Sequence, residues 1–384
     1  MNEQSAIRNP QSAMDVAAIE RELTALWQQA SDEDEHSGVI RSSILNLLVF
    51  VPEASEAAKV DDILTEITAA HPSRAVLMLV DREAPESMLN AQVTSRCTLP
   101  TGSSKQVCCE QVTITASGSG VAELPSTLAP LLLSDLPVYL WWRAVPRIED
   151  KALFRKLADI SDRVIIDSAL FNAPHRDIAS MATVLSETPR WTAISDLNWA
   201  RLTAWRALLA GFYDVREYRP LLDQLDHVVI EYAPPAIDTA AISPRALLLG
   251  GWLTSRLGLS LRPDAAKSSA ESRSFVCSSN DGRNITIEFA EAHREIEPGH
   301  LALVTFHSAK DESMLFSVRR SADGNRIETS VSRGDEKSSE RVLSYEGLSE
   351  SELIGKEIQI LGHDRVYEQA VLAAGELVKA MSVS

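Results

Sequence analysis

Residues 131–146 read Leu-Leu-Leu-Ser-Asp-Leu-Pro-Val-Tyr-Leu-Trp-Trp-Arg-Ala-Val-Pro. Pro137 has no amide proton and its ring fixes φ, so a helix cannot run through it and the stretch divides there. The part before it, with Leu124–Leu133, reads as a short apolar helix. The part after it, Val138–Arg143, reads as a strand, being β-branched and aromatic and bounded by prolines. Bulk at successive positions means bulk on both faces, which predicts a central strand covered on both sides. Further sheet is expected upstream of it and helices downstream.

Working outward, Ser42–Val51 is a strongly apolar strand, Ser55–Ala70 a helix with Val60, Ile63, Leu64 and Ile67 on one side, and Ala75–Val80 the next strand. A β-α-β unit of this kind implies parallel pairing and a right-handed crossover. The turn after Val51 holds no glycine, and a dinucleotide fingerprint needs glycines there for the pyrophosphate to approach the backbone. An ordinary nicotinamide site is therefore not expected. Asp81 stands where such a fold holds a ribose, but without the glycine turn it reads as a loop residue. Ala91–Thr98 and Gln106–Ala116 form a hairpin whose turn, Thr101-Gly-Ser-Ser-Lys105, lacks the spacing of a phosphate loop. Beyond the central strand, a helix over Glu149–Ala158 and a strand over Arg163–Asp167 make a second β-α-β unit. Asp167 and Ser168 then lie at a carboxyl strand edge, where open α/β sheets take ligands, although capping of the next helix accounts for them equally well.

A second diagnostic stretch is Ile194–Asp214, Ile-Ser-Asp-Leu-Asn-Trp-Ala-Arg-Leu-Thr-Ala-Trp-Arg-Ala-Leu-Leu-Ala-Gly-Phe-Tyr-Asp. Ser195 or Asp196 caps its start, and Leu202, Trp205, Leu209 and Phe212 recur at helical spacing, with Arg201 and Arg206 on the flanks of that stripe. A strand over Asp226–Tyr232 leads to Pro234-Pro235, and a helix over Pro244–Leu259 follows. From Phe275 the pattern alternates, with Asp-Gly turns at 281–282 and 323–324, which predicts an antiparallel sheet. Two helices, Ser351–Ile360 and Asp364–Met381, are expected to cover one face of it. The fold class is thus an α/β domain of β-α-β units, with a mostly parallel or mixed sheet, followed by an α+β domain. The expected division is an arm with one helix (1–38), the α/β domain (39–235) and the α+β domain (236–384).

The chain has 384 residues and a formal net charge of −17. An acidic surface argues against nucleic acid, whose phosphates need clustered positive charge. No apolar run reaches the roughly 18 residues of a membrane span, and the N-terminus has no signal-peptide pattern, so a cytoplasmic protein is expected. Four cysteines make no disulfide framework; mostly buried, reduced thiols that form no required redox switch are expected, although Cys97 and Cys108 bracket the hairpin turn and so could face each other.

No metal, cofactor or catalytic constellation is legible. What the chain concentrates instead is tryptophan and arginine, residue types that dominate binding hot spots. Trp142 and Trp205 lie on apolar faces and read as core. Trp141, Arg143, Asp167, Ser168, Trp199, Arg201 and Arg206 remain as binding candidates, because a buried guanidinium needs a carboxylate or a phosphate. The two tryptophan stretches, together with Asp162-Arg-Val-Ile-Ile-Asp-Ser168 and Gly250-Gly-Trp-Leu-Thr-Ser-Arg-Leu-Gly258, resemble the glucose-6-phosphate dehydrogenase assembly protein family (OpcA) from about Ser42 onward. The resemblance implies a non-catalytic protein, without cofactor, that binds and activates glucose-6-phosphate dehydrogenase. A sugar-phosphate-binding enzyme or metabolite sensor with an arginine-lined crevice stands as the alternative.

Overall fold

The computed structural model describes residues 5–7, 15–32, 40–52, 54–99, 106–146, 153–187, 192–269, 272–308, 314–334, 336–345 and 347–383. The chain forms two compact units. The first comprises Met1–Asp167, Thr188–Ser195 and Ser349–His363; the second comprises Ser168–Glu187, Asp196–Leu348 and Asp364–Ser384.

The sheet of the first unit contains β1 (Ser5–Ile7), β2 (Ile40–Arg41), β3 (Leu45–Val51), β4 (Ser73–Asp81), β5 (Met88–Thr98), β6 (Val107–Ser117), β7 (Val138–Trp142), β8 (Arg163–Ile166) and β9 (Ala193–Asp196). Their order is β1-β5-β6-β4-β3-β7-β8-β9, with β2 beside β6. The pairs β6–β4, β4–β3, β3–β7 and β7–β8 are parallel, and β5–β6 is antiparallel. Every residue of β3 and of β7 is buried, as strands covered on both faces require. Asn46 is polar in the middle of this apolar run and fully satisfied: its Nδ2 donates to the carbonyls of Leu133 (3.0 Å) and Leu136 (3.2 Å), and its Oδ1 accepts from Leu133 N (2.8 Å). It thereby ties β3 to the loop that enters β7.

Helix α1 (Val16–Asp32) docks on its own unit: Ile19 and Leu23 are buried, and buried Arg74 pairs with Glu20 at 2.7 Å and with Glu110 at 2.6 Å. Helix α2 (Ala57–Ala70) makes the β3–β4 crossover on Val60, Leu64 and Ile67. The expected apolar helix before Pro137 is shorter than its sequence suggested. It consists of α3 (Leu124–Leu128) and a 3₁₀ turn to Leu131, because Pro130 leaves no amide to continue the α-helical ladder. Helix α4 spans Phe154–Asp159; the part of the expected helix at 149–152 lies outside the described residues, as does the hairpin turn at 101–105. Cys97 and Cys108 are directly opposite in the β5–β6 register and are joined in a disulfide, which corrects the expectation of reduced thiols for this pair; Cys109 and Cys277 are free and buried.

The second unit holds α5 (Pro174–Glu187), α6 (Leu197–Arg201), α7 (Thr203–Gly211), α8 (Arg219–Leu222), β10 (Leu225–Tyr232) and α9 (Pro244–Arg256). It continues with β11 (Ser260–Ser268), β12 (Ser272–Ser278), β13 (Asn284–Glu291), β14 (Leu301–Ser308), β15 (Met314–Arg320), β16 (Arg326–Arg333), β17 (Glu336–Ser344) and α11 (Arg365–Val383). The strand order is β11-β12-β13-β10-β14-β15-β16-β17. The sheet is antiparallel except that β10 runs parallel to β13, so it is mixed. The Asp-Gly turns fall where expected, with Gly282 at φ 83° and Gly324 at φ 73°, values that favour glycine. Helix α9 packs closely because its glycines permit it: a Cβ on Gly251 would stand 2.1 Å from the Ala370 carbonyl of α11. Only α11 of the two terminal helices joins this unit. Helix α10 (Glu350–Gln359), with its Ser349–Glu352 capping box, packs on α2 in the first unit, and Tyr139 donates to the Ile358 carbonyl at 2.9 Å.

Candidate functional site

In an open parallel sheet the ligand crevice forms beyond the carboxyl ends of the strands, where the strand order reverses. In the first unit that point lies between β3 and β7, since β4 follows on one side of β3 and β7 stands on the other. Arg143 immediately follows β7 and occupies this place. Its side chain is 1% exposed; Nη2 donates to Glu56 Oε2 at 2.9 Å, Nε to the same oxygen at 3.1 Å, and Nη1 to Glu350 Oε1. Its guanidinium also stands 4.8 Å from the ring centroid of Trp141. Glu56 comes from the turn that enters α2, and Glu350 from the first turn of α10, whose helix dipole favours a carboxylate there. The spot where a glycine turn would admit a pyrophosphate therefore carries two carboxylates locked on an arginine. Trp141 is 0% exposed, and Trp142 stacks on Phe50 with centroids 3.8 Å apart.

The second tryptophan motif lies in the second unit. Asp196 caps α6 as expected, accepting from Asn198 N, but the helix breaks at Leu202 before α7 begins. Trp199 is buried; its Nε1 donates to Asp364 Oδ2 at 2.8 Å, while Asp364 Oδ1 caps α11 through Val366 N and Tyr367 N, both at 3.0 Å. The Arg206 guanidinium lies 3.4 Å from the Trp199 ring centroid, and the Arg201 carbonyl accepts from the Tyr345 hydroxyl. Trp199 and Arg206 thus brace the start of α11. Trp205 is core, 1% exposed.

Asp167, buried, ends the first segment of the first unit, and Ser168 opens the second. Ser168 N donates to Asp196 Oδ1 at 2.9 Å, Asn198 Nδ2 to Ser168 Oγ at 3.1 Å, and Arg245 Nε to Asn198 Oδ1 at 2.8 Å. Arg245 and Asn198 line a cavity of about 280 Å³ together with Phe171 and His300. Burial, reinforced by the positive charges of Arg245 and Arg320, pushes the His300 imidazole down to about 4. Of the arginines expected from sequence to line a crevice, Arg143 is engaged by two glutamates of its own unit, and Arg206 stands on Trp199. Sequence reading missed Glu56, Glu350 and Arg245. Arg245 carried a signal, since a cation in the first turn of a helix opposes the macrodipole and calls for a local reason. Glu56 and Glu350 are 294 positions apart in sequence (350 − 56) and carried none.

A family model described as the glucose-6-phosphate dehydrogenase subunit N-terminal domain matches residues 64–183, and one described as the C-terminal domain of that subunit matches residues 192–371. The OxPP cycle protein OpcA of Synechocystis sp. is 28% identical over 257 residues, which is 66% of this chain and 51% of that protein. The protein of the same name from Nostoc punctiforme is 33% identical over 198 residues, 51% of this chain and 40% of that protein. The chain spans about half the length, or less, of these curated relatives. Among solved structures, KijD10, a 3-ketoreductase from Actinomadura kijaniata in complex with NADP, is 10% identical with a TM-score of 0.46, covering 88% of this chain and 96% of that one. Biliverdin reductase from Synechocystis sp. PCC 6803 is 9% identical with a TM-score of 0.45, covering 88% and 99%. These are distant likenesses, and no chemistry is carried over from them.

Proposed function

Because the chain belongs to the OpcA family of glucose-6-phosphate dehydrogenase assembly proteins, we propose that it is a non-catalytic activator that binds that dehydrogenase and favours its active state. The observation that supports a binding rather than a catalytic role is the Arg143–Glu56–Glu350 cluster at the switch point of the first sheet. A pyrophosphate brought there would meet two carboxylates instead of a row of free backbone amides. The tryptophan and arginine motifs serve the function indirectly, by fixing the two scaffolds. We propose the partner surface within Phe275–Met381, on the part of it in the second unit, where edge strand β17 carries Val342 at 55% and Leu343 at 42% exposure. An acidic chain suits a basic patch on the dehydrogenase, so the complex weakens with salt.

An activator acts only through differential affinity for two states of its partner. A coupling of about 1–3 kcal/mol corresponds to a change in apparent affinity of roughly 5- to 150-fold. The test is co-purification with the cognate dehydrogenase, then initial rates against glucose 6-phosphate at increasing concentrations of this protein. The expected result is a complex, a saturable fall in KM, and no turnover by this protein alone. A complex that forms with KM unchanged, or glucose 6-phosphate turnover by the isolated chain, overturns the reading.

A further inference from the structure

The parallel strands of the first unit run in the order β6-β4-β3-β7-β8. Numbered as the chain meets them, that is 3-2-1-4-5, the order of a dinucleotide-binding sheet. In such a sheet the pyrophosphate sits at the turn after the first strand, and an acidic side chain beyond it holds the ribose hydroxyls. Here the two halves of the site have different fates. The pyrophosphate half is closed by Glu56 and Glu350 on Arg143. The nucleoside half is open: a cavity of about 880 Å³ lies over the carboxyl ends of β3, β4 and β6, bounded among others by Pro52, Leu79, Asp81, Arg82, Ala84 and Ser117.

Asp81 is the last residue of β4 and is exposed to this cavity. Its Oδ1 accepts the amides of Glu83 and Ala84, both at 3.0 Å. Two backbone donors on one oxygen fix the plane of the carboxylate and leave Oδ2 as the second acceptor. A carboxylate oriented in this way is the group that distinguishes a ribose diol from a deoxyribose. The lining beside it is partly apolar, from Pro52, Leu79 and Ala84, as a purine face requires. Glu83 and Glu86 also line the cavity, so with Asp81 and Arg82 its lining is net acidic and disfavours phosphates.

We propose that this cavity binds an adenosine-type ribonucleoside without phosphates, with its ribose diol on Asp81 and its base against Pro52, Leu79 and Ala84. The inference goes beyond the activator reading and does not depend on it; binding is read on this chain alone. The test is isothermal titration of the full chain with adenosine, 2′-deoxyadenosine and ATP. Adenosine binds; 2′-deoxyadenosine binds at least tenfold more weakly, as loss of a charge-assisted hydrogen bond implies; ATP binds more weakly than adenosine. Asp81→Asn keeps Oδ1 for the two amides while removing the charge, and lowers adenosine affinity at least tenfold. Ala84→Trp, which adds bulk to the cavity lining, abolishes binding with the melting temperature retained. No binding of adenosine at millimolar concentration overturns the proposal. So does equal affinity for the deoxynucleoside, tighter binding of ATP, or unchanged affinity in both variants.

Discussion

Arg143→Met removes the guanidinium while keeping much of the side chain's apolar volume, and so isolates the charge. The Arg143 side chain is 1% exposed, whereas the glutamates it holds differ: Glu350 is 17% exposed and Glu56 36%. Removing one partner of a buried pair costs about 3–5 kcal/mol because the other is left charged without compensation. Water reaches Glu56 and screens part of that penalty, while Glu350 bears most of it but keeps Lys59 at 4.0 Å, which brings the expectation to about 2–4 kcal/mol. Loss of the stack on Trp141 contributes about 0.5–1 kcal/mol within that range. Arg143→Lys keeps the charge but cannot fork to two carboxylates, and should cost about half as much. In the double variant Arg143→Met/Glu350→Gln only the better-solvated Glu56 remains charged without its partner, so about 1–2 kcal/mol returns. Urea unfolding at neutral pH, followed by tryptophan fluorescence, measures all four proteins. A midpoint for Arg143→Met within about 0.5 kcal/mol of the parent would refute the reasoning. So would a double variant no better than the single one.

Two further predictions concern pH and redox. His300 is held at about 4 in the folded chain by burial and by Arg245 and Arg320, against 6.5 when exposed, so the unfolded chain takes up its proton first. Its contribution is intact above pH 6.5 and is lost as pH falls towards 4, at a cost of about 2 kcal/mol once partial exposure is allowed for; His300→Gln should flatten the stability curve in that window, and an unchanged slope would refute the assignment. Reduction of Cys97–Cys108, which closes a loop with a sequence separation of 11, should lower the stability of the first unit by about 2–3 kcal/mol, and identical unfolding midpoints with and without reductant would show otherwise.

Much of this fold is legible in the sequence because local physics and tertiary environment agree there. Val138–Trp142 is apolar on both faces and is the buried strand it looks like; Ser349 and Glu352 form the capping box they spell. The misreadings have a common physical source. Period and capping reveal what an element is, but not what it packs against. Helix α10 has an apolar stripe that suits any neighbour, and it packs on α2 rather than on the second sheet. Trp141 and Trp199 resemble exposed anchors by residue type, yet both are enclosed, and the polar end of Trp199 is taken up by Asp364. Arg143 announces by its burial that it needs a carboxylate, but nothing local says that Glu56 and Glu350 supply it. The turn after Val51 has no glycine, and at that edge of the sheet Glu56 and Glu350 are held on Arg143.

The covalent path of the chain constrains how the partner surface can be mapped. Segments of the first unit end at Asp167, Ser195 and His363, and segments of the second at Glu187, Leu348 and Ser384, so neither unit is one continuous stretch. A chain ended at Tyr232 would leave β10 without β13 and β14, exposing the edges of an apolar strand, and would strip α10 and Glu350 from the first unit. Failure of such a fragment to activate the dehydrogenase would report misfolding, not a missing contact. Point substitutions on exposed positions avoid this. Val342→Lys and Leu343→Lys alter the outer strand β17 without removing a buried contact, because both side chains already face solvent. Charges on an edge strand also block strand-to-strand addition, which is the mode of contact an exposed edge offers. Loss of the KM effect in these variants with folding retained would place the dehydrogenase on β17. Retention of the full effect would remove that edge from the interface and leave the other exposed surfaces of Phe275–Met381 to be scanned in the same way.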